Sequence, residues 1–384
     1  MRERLWSRPF VQLTAAMLVL FTGFYTLLPT LPLYVKEIGG NETDVGLVMG
    51  AFTLSAVVCR PLVGGLMDRY GRRAFILWGL AAFAVTLYSY EWAGAIAALF
   101  MLRVLHGMSW ASSTTAISTA VTDIIPAARR GEGMGWFGLS TTLAMAIGPL
   151  IGLWVMERWS FGALFVFGSV LAAVAFVLAV TTRMKVRPAA TGQRVGFYEP
   201  SVLPVTAAIF FLSVAYSGIT TFLPLFAGQI GVNAGTFFLV YAITLTAIRP
   251  VTGRLSDKRG EGSVIMPGII ITIGSLILLS QAEGNAIVMT AAILFGIGFG
   301  STTPALQAAT LRLAPPERRG VANAAFMTAF DLGLGIGAIL LGWMSQHTGY
   351  AAVFTAGASA AAVSFVIFAS VVRRALKRRA RADS

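Results

Sequence analysis

Long apolar runs are the feature that constrains this chain most. Runs of about 20 residues recur along its 384 positions, and each is long enough to cross roughly 30 Å of hydrocarbon as an α-helix. The mean hydropathy is +0.78 and only 12% of residues are charged, which is not the composition of a water-soluble domain. Because the runs are continuously apolar rather than alternating, they predict helices and not the strands of a barrel. Twelve spans are expected, near residues 10–35, 45–67, 74–92, 94–122, 133–157, 161–182, 201–227, 235–255, 263–282, 284–312, 320–346 and 350–372.

Basic residues fall in alternate loops. Of 29 Lys and Arg residues, 24 lie before the first span, in every second loop after it or in the C-terminal tail, whereas the opposite loops hold only Lys36 and Arg158. This bias follows the positive-inside rule and predicts a multi-pass protein of the cell membrane with both termini in the cytoplasm. The net charge of +13 is therefore interpreted as a mark of topology. The basic tail is expected to contact anionic lipids rather than nucleic acid.

The second half of the chain repeats the first. The stretch CRPLVGGLMDRYGRR from Cys59 to Arg73 is echoed by IRPVTGRLSDKRG at 248–260. We call two positions in the two halves equivalent when they are separated by the same number of residues as Asp68 and Asp257. Each half has six spans, an even number, so both halves are expected to enter the bilayer in the same orientation. Parallel repeats of this kind are typical of transporters, whose substrate site lies where the halves face each other. The predicted organisation is an N-terminal six-helix half (1–182), a cytoplasmic linker (183–200), a C-terminal six-helix half (201–372) and the basic tail (373–384).

The repeated phrase carries a family resemblance. GGLMDRYGRR, which begins at Gly64, resembles motif A of the major facilitator superfamily, a G-x-L-x-D-R-x-G-R-R pattern between the second and third spans. The echo in the second half and the twelve-span layout fit the same family, so the resemblance covers the whole chain. It implies an all-α integral membrane fold, with twelve transmembrane helices in two pseudo-symmetric six-helix halves.

A second motif resembles the twelve-span drug:proton antiporters of that superfamily. AIGPLIGLW in the fifth span is similar to motif C, G-P-x-x-G-G, which marks proton-driven exporters. Gly148, Pro149 and Gly152 match the pattern, and Leu153 replaces its last glycine. The alternative interpretation is ordinary close packing of helices through small residues.

The resemblance assigns a conformational latch to the repeated phrase. It implies that Asp68 meets the start of the eleventh span and that Asp123 pairs with Arg72. The second copy keeps Asp257 but has Glu261 at the position of Arg72, so its latch is expected to be weaker. The predicted latch residues are Gly64, Asp68, Arg69, Gly71, Arg72, Arg73, Asp123 and Asp257.

Three ionisable residues lie deep in predicted spans, where a charge is costly. Arg103 in the fourth span matches motif B of the family, an arginine associated with proton coupling. His106 lies one helical turn later on the same face, and Asp331 lies in the eleventh span. Either His106 or Asp331 is expected to carry the proton, if its affinity for the proton changes as Arg103 approaches or leaves. The alternatives are a hydrogen-bonded His106 at a position where relatives often have Gln, and Asp331 as a helix-packing partner.

By the same resemblance, spans one, four, seven and ten form the walls of a substrate cavity. Arg60 and Arg249 are expected at its cytoplasmic end, and the alternative is that either side chain extends to the membrane interface. The residues predicted to line it are Phe24, Tyr25, Arg60, Ser112, Ser113, Tyr216, Ser217, Arg249, Ser301, Thr303 and Gln307.

The predicted function is that of a proton-coupled antiporter that exports small amphipathic organic compounds by alternating access. The alternative is a proton symporter that imports an organic anion or other small metabolite, because the arginines within the spans outnumber Asp331. The sequence has no nucleophile–base pair, metal-ligand cluster or G-x-x-x-x-G-K-[ST] loop, so enzyme activity and ATP-driven transport are not expected. The expected partners are a small-molecule substrate and the lipid bilayer, with no cofactor besides the coupling proton and no nucleic acid. The protein is expected to be a monomer.

The charge bias leads to a labelling prediction. In a Cys59→Ser background, Asn41→Cys is expected to react with an impermeant thiol reagent added outside intact cells, whereas Gly192→Cys is expected to react only after permeabilisation. The extent of labelling, measured before and after permeabilisation, checks the two positions separately. Labelling of position 192 but not of position 41 in intact cells would reverse the predicted topology.

Overall fold

The computed structural model describes residues 5–126, 129–182, 199–315 and 318–382, with the side chains of 68–69, 130–131, 257 and 380–382 left aside. Most of the predicted linker, 183–198, lies outside the described residues. The described part of the chain is helical and contains no β-strand.

The first six spans are single helices. They are α1 (Arg8–Glu37), α2 (Glu42–Tyr70), α3 (Arg72–Ser89), α4 (Ile96–Ile124), α5 (Arg130–Arg158) and α6 (Phe161–Val180). A short 3-10 turn, Tyr90–Trp92, follows α3 and leads toward α4.

Two of the later spans are interrupted by π-helical stretches. The seventh span consists of α7 (Leu203–Ser217), a π-helical stretch (Gly218–Phe222) and α8 (Leu223–Gln229). The twelfth span consists of α13 (Tyr350–Ile367), a second π-helical stretch (Phe368–Val372) and α14 (Arg373–Ala382). Pro224 at the start of α8 has no N–H to donate, which fits a local change of hydrogen-bond register. The spans between them are α9 (Ala234–Arg259), α10 (Gly262–Ser280), α11 (Asn285–Leu313) and α12 (Arg319–Thr348).

Within the described residues, eleven helical segments are long and apolar enough to cross a membrane. The remaining long helix, α4, has 29 residues but a more polar interior. That interior contains Arg103, His106 and four consecutive hydroxyl residues at 112–115. The all-α membrane fold predicted from the apolar runs is confirmed, and the polar character of α4 distinguishes it from the other spans.

The chain divides into two compact units. One holds Met1–Gly39 and Ala51–Gly192, and the other holds Gly40–Gly50 and Gln193–Ser384. In the first unit, α1 packs on α5 and α6, and α3 packs on α4 and α6. In the second unit, α7 packs on α12 and α13, and α10 packs on α11 and α13. The first, third, fourth, fifth and sixth spans of each half therefore pack in the same pattern.

The helix bounds follow the sequence repeat. Helix α4 begins at Ile96 and ends at Ile124, and helix α11 begins and ends at the equivalent positions, Asn285 and Leu313. The helices that carry the repeated charged phrase, α2 and α9, are each followed by a glycine with positive φ, Gly71 at 86° and Gly260 at 80°. Side-chain-bearing residues rarely adopt this conformation, so the sharp turn explains why both copies of the phrase have glycine here.

The start of α2 is fixed within the second unit. The Tyr350 hydroxyl donates to Glu42 Oε1 at 2.9 Å. The backbones of α2 and α12 are close enough that a Cβ on Gly342 would lie 2.6 Å from the Glu42 carbonyl oxygen and 2.9 Å from Gly46 Cα. These contacts between small residues explain why Gly40–Gly50 groups with the second unit rather than with the rest of α2.

A partly buried ion pair between Glu199 and Arg318 lies just before α7. The Glu199 carboxylate accepts a hydrogen bond from the Ser201 hydroxyl at 2.7 Å, and its Oε2 lies 2.8 Å from Arg318 Nη1. Arg318 directly precedes α12, so the pair connects the starts of two helices of the second unit. The hydrogen bonds from Ser201 and Arg318 hold the pKa of the Glu199 carboxyl below its ordinary value.

This ion pair leads to a prediction about stability and pH. Glu199→Gln is expected to lower the melting temperature at neutral pH, because the amide removes the charge that faces Arg318. Since the folded-state pKa is lowered, the carboxylate stabilises the fold above its unfolded-state pKa, and that contribution is lost as the pH falls through the folded-state value. The difference in melting temperature between wild type and variant is therefore expected to shrink below about pH 4. Glu283→Gln, at an exposed position, is the matched control. A difference that stays constant from neutral to acid pH would contradict this explanation.

Candidate functional site

Helix α4 places two ionisable side chains inside the first unit. Arg103 and His106 are three residues apart and therefore lie on the same side of the helix, with 1% and 0% of their surfaces exposed. Gly107 brings α4 close to α2, because a Cβ at this position would overlap the Phe52 carbonyl oxygen. The close approach places the Phe52 side chain beside both ionisable groups.

Aromatic rings surround this pair. The Arg103 guanidinium carbon lies 4.4 Å from the centre of the Phe52 ring, which is a cation–π distance. The His106 ring meets Phe83 of α3 edge to face, with 4.2 Å between the ring centres. The Tyr90 hydroxyl lies 2.8 Å from His106 Nδ1 and also interacts with the Arg103 side chain. We call Arg103, Tyr90 and His106 the α4 cluster.

Sequence reasoning identified Arg103 and His106 but missed Tyr90. Tyr90 lies in the 3-10 turn after α3 and is 0% exposed. Its ring also contacts Phe165 of α6 edge to face, at 5.4 Å between ring centres. Nothing in the local sequence YEW distinguishes it from an interfacial aromatic residue, so only the fold shows its contact with His106.

The second unit provides an internal comparison for the α4 cluster. The positions equivalent to Tyr90, Arg103 and His106 hold the apolar residues Leu279, Ala292 and Phe295, and all three are buried. Phe295 stacks on Phe299, with 5.3 Å between ring centres. The same helix arrangement therefore accommodates an apolar core at these positions.

Asp331 lies on α12 in the second unit. It is half-buried, and its Oδ2 atom is buried. Because Arg103 and Asp331 belong to different units, the expected approach of one to the other stays a prediction.

A hydrogen bond that sequence reasoning did not identify joins α11 and α12. The Gln307 amide of α11 donates to Asn323 Oδ1 of α12 at 2.9 Å.

Two ion pairs occupy equivalent positions in the two halves. In the first unit, Arg72 at the start of α3 pairs with Asp123 near the end of α4. In the second unit, Arg312 Nη1 lies 3.1 Å from Glu261 Oε2. Glu261 is the equivalent of Arg72, and Arg312 is the equivalent of Asp123. The repeat therefore keeps the bridge and exchanges its charges.

Three other predicted latch residues, Gly64, Gly71 and Arg73, lie on α2, on α3 or in the turn between them. Arg73 Nη2 donates to the Val180 carbonyl oxygen at the end of α6, at 3.1 Å. Gly64 lies in the last part of α2, and Gly71 forms the turn between α2 and α3. The side chains of Asp68, Arg69 and Asp257 are outside the described residues, and the latch function stays a prediction.

The glycines that resemble motif C lie where α5 packs on α1. A Cβ on Gly152 would overlap the Thr26 carbonyl oxygen, and one on Gly148 would overlap the Tyr25 side chain. Pro149 lies between them inside α5. Close contact between two helices of one unit thus accounts for small residues at both positions.

Several residues predicted to line the cavity donate hydrogen bonds to carbonyls of their own helix or of a neighbouring helix, and their place in a cavity stays a prediction. The Ser112 hydroxyl donates to the Phe75 carbonyl of α3 at 3.0 Å, and Ser217 donates to the Leu334 carbonyl of α12 at 2.9 Å. Three further hydroxyls donate to carbonyls of their own helix, those of Ser113, Ser301 and Thr303.

Two of the aromatic residues predicted for the cavity, Phe24 and Tyr216, are buried in stacks. Phe24 stacks on Phe52 in the first unit, with 4.9 Å between ring centres. Tyr216 stacks on Phe299 in the second, at 4.5 Å and an interplanar angle of 10°. The remaining predicted residues are buried or half-buried: Tyr25 on α1, Arg60 on α2, Arg249 on α9 and Gln307 on α11.

Known proteins resemble this chain along its length. A family model described as Major Facilitator Superfamily matches residues 13–338 and, in a second match, residues 234–383. The staphylopine export protein of Staphylococcus aureus is 26% identical over 360 residues, which cover 89% of this chain and 90% of that protein. The quinolone resistance protein NorA of Staphylococcus aureus is 27% identical over 378 residues, which cover 94% of this chain and 96% of that protein.

A solved structure shares the fold. It is that of a bacterial homologue of the human lysosomal transporter Spinster, in an inward-facing and unoccupied conformation. The TM-score is 0.76 at 15% sequence identity, and the match covers 99% of each chain. At this identity the likeness establishes the fold alone.

The exchanged ion pairs lead to a prediction about stability. Arg72→Glu is expected to destabilise the protein because it places two carboxylates together, and adding Asp123→Arg is expected to restore most of the loss. The double variant has the charge order found at Glu261 and Arg312. Because these side chains are partly exposed, the coupling energy is expected to be about 1 kcal/mol or less. A double-mutant cycle on the melting temperature measures it, with the reciprocal exchange at Glu261 and Arg312 as the matched control. Strictly additive effects of Arg72→Glu and Asp123→Arg would contradict a stabilising bridge.

Proposed function

The chain belongs to the Major Facilitator Superfamily, and on that premise we propose that it is a proton-coupled antiporter. In this proposal the transporter exports small amphipathic organic compounds by alternating access, and it takes up protons in exchange. A proton entering the cell supplies about 2.3 kcal/mol per 100 mV of membrane potential. Each unit of pH difference adds about 1.4 kcal/mol, so one proton sustains a substrate gradient of roughly a few hundred-fold.

The α4 cluster is the observation that supports proton coupling. An ionisable side chain in the middle of a span costs about 2.5–3.5 kcal/mol on insertion scales. The apolar residues Leu279, Ala292 and Phe295 at the equivalent positions indicate that packing of these helices does not require polar groups there. A cost that the fold does not require favours a role for Arg103 and His106 in transport.

Export is supported by the relatives and by the resemblance of glycines in α5 to an exporter-type motif. Two relatives that align over most of their length are named for export of staphylopine and for quinolone resistance. Gly148 and Gly152 occupy the positions of an exporter-type motif and pack directly on α1.

The test is transport in inverted membrane vesicles, with and without an imposed pH gradient, across a panel of fluorescent amphipathic compounds. Arg103→Ala is expected to abolish pH-driven transport, because both candidate acceptors depend on Arg103. Loss of coupling in Asp331→Asn would identify Asp331 as the proton acceptor, and loss in His106→Gln would identify His106. His347→Gln, at an exposed position of α12, is the matched control.

Two outcomes would contradict this proposal. Proton-driven transport that persists in the double variant His106→Gln with Asp331→Asn would remove both residues from the mechanism. Uptake of organic anions together with protons, in place of exchange, would support the symporter alternative.

A further inference from the structure

Tyr90 is placed between the two ionisable groups of α4. Its hydroxyl is within hydrogen-bonding distance of His106 Nδ1, at 2.8 Å, and it also interacts with the Arg103 side chain. Phe52 and Phe83 also pack on the His106 ring, at 5.0 and 4.2 Å between ring centres. Of the side chains that surround His106 from α2, α3, α4 and the turn after α3, Arg103 is charged and Tyr90 is titratable.

Counting donors and acceptors limits the directions that these hydrogen bonds can take. An arginine side chain has only donors, so in its bond with Arg103 the Tyr90 oxygen is the acceptor. The phenol has a single hydrogen to donate, and the other partner of its oxygen is His106 Nδ1. When that hydrogen points to Nδ1, the ring nitrogen must be bare, and a neutral imidazole then carries its proton on Nε2.

We propose that Tyr90 is a positioning residue that holds His106 neutral, with its proton on Nε2 and with Nδ1 as the atom that receives an incoming proton. When Nδ1 takes up a proton it becomes a donor, so the Tyr90 oxygen accepts from both Arg103 and His106. The phenol keeps its own hydrogen, which then points away from the imidazole ring. Protonation of His106 is thereby coupled to rotation of one hydroxyl.

The consequence for transport rests on the proposed function. If His106 carries the coupled proton, a rearrangement around Tyr90 is the step that exposes or blocks Nδ1. The three side chains of the α4 cluster are expected to rearrange together when one of them gains or loses a proton, because the direction of each hydrogen bond limits the direction of the next.

The proton positions on His106 can be observed directly, because the chain has only two histidines. A His347→Gln variant leaves His106 as the single histidine, and nitrogen-15 NMR of labelled histidine in lipid nanodiscs distinguishes a bare ring nitrogen from one that carries hydrogen. At neutral pH, without substrate, the expected spectrum has a bare Nδ1 and a protonated Nε2. A doubly protonated ring, or a proton on Nδ1 with a bare Nε2, would overturn the proposal.

Tyr90→Phe in this single-histidine background removes the hydroxyl and keeps the ring. Because one hydrogen bond has a net strength of about 1 kcal/mol, the ratio of the two neutral forms is expected to shift about five-fold or more toward the form with its proton on Nδ1. Tyr34→Phe is the matched control, since Tyr34 is a buried tyrosine of the same unit whose hydroxyl donates to the Ala93 carbonyl at 3.2 Å. It is expected to leave the His106 spectrum unchanged.

An unchanged ratio in Tyr90→Phe would show that the phenol does not set the proton position. If Tyr90→Phe does not fold, the spectrum of the single-histidine protein with Tyr90 intact still decides the question. The NMR measurement needs no substrate and no transport. Failure of the proposed antiport therefore appears only in the vesicle assay, and failure of the Tyr90 assignment appears only in the spectrum.

Discussion

A polar atom inside the hydrocarbon layer has no water to bond with, so its partner must come from the protein. The backbone meets this requirement by forming helices, and many hydroxyl side chains meet it by donating to carbonyls. Some of these bonds join neighbouring helices: Ser275 of α10 donates to the Ala291 carbonyl of α11, and Ser364 of α13 donates to the Ala208 carbonyl of α7. Small residues then allow the helices to approach, as at Gly152. The same requirement makes the ionisable groups of α4 exceptional.

The architecture could be predicted from the sequence because length and hydropathy determine the spans. Even the equivalent bounds of α4 and α11 follow from the sequence repeat. The contacts of the candidate site were harder to predict. Tyr90 and His106 are separated by 16 residues and by a change of element, so no helical or strand periodicity relates them. The hydrogen bond between Gln307 and Asn323 likewise spans 16 residues and joins two helices. Such contacts depend on how the turns are folded, which composition and periodicity do not determine.

The exchanged ion pair shows what is missed when the positions of a repeat are compared one at a time. Glu261 stands where the first half has Arg72, and considered alone it predicts a weakened second copy. The structure shows that Arg312 stands opposite it, where the first half has Asp123. The Coulomb attraction between two opposite charges is unchanged when both are exchanged. The repeat therefore preserves an interaction at these positions, although neither residue type is preserved.

The α4 cluster differs, because here the repeat preserves neither the residues nor the interaction. The second half fills these positions with Leu279, Ala292 and Phe295, which need no polar partner. In the first half, a cation–π contact with Phe52 contributes up to about 2 kcal/mol, and hydrogen bonds to a charged group contribute about 1.5–3 kcal/mol each. These gains are similar in size to the insertion cost of Arg103, about 2.5–3.5 kcal/mol. Because the cost of burying Arg103 and the gains from its contacts nearly cancel, the gain or loss of one proton or one hydrogen bond changes which of the two is larger. A fully apolar core at the same positions has no such balance to change.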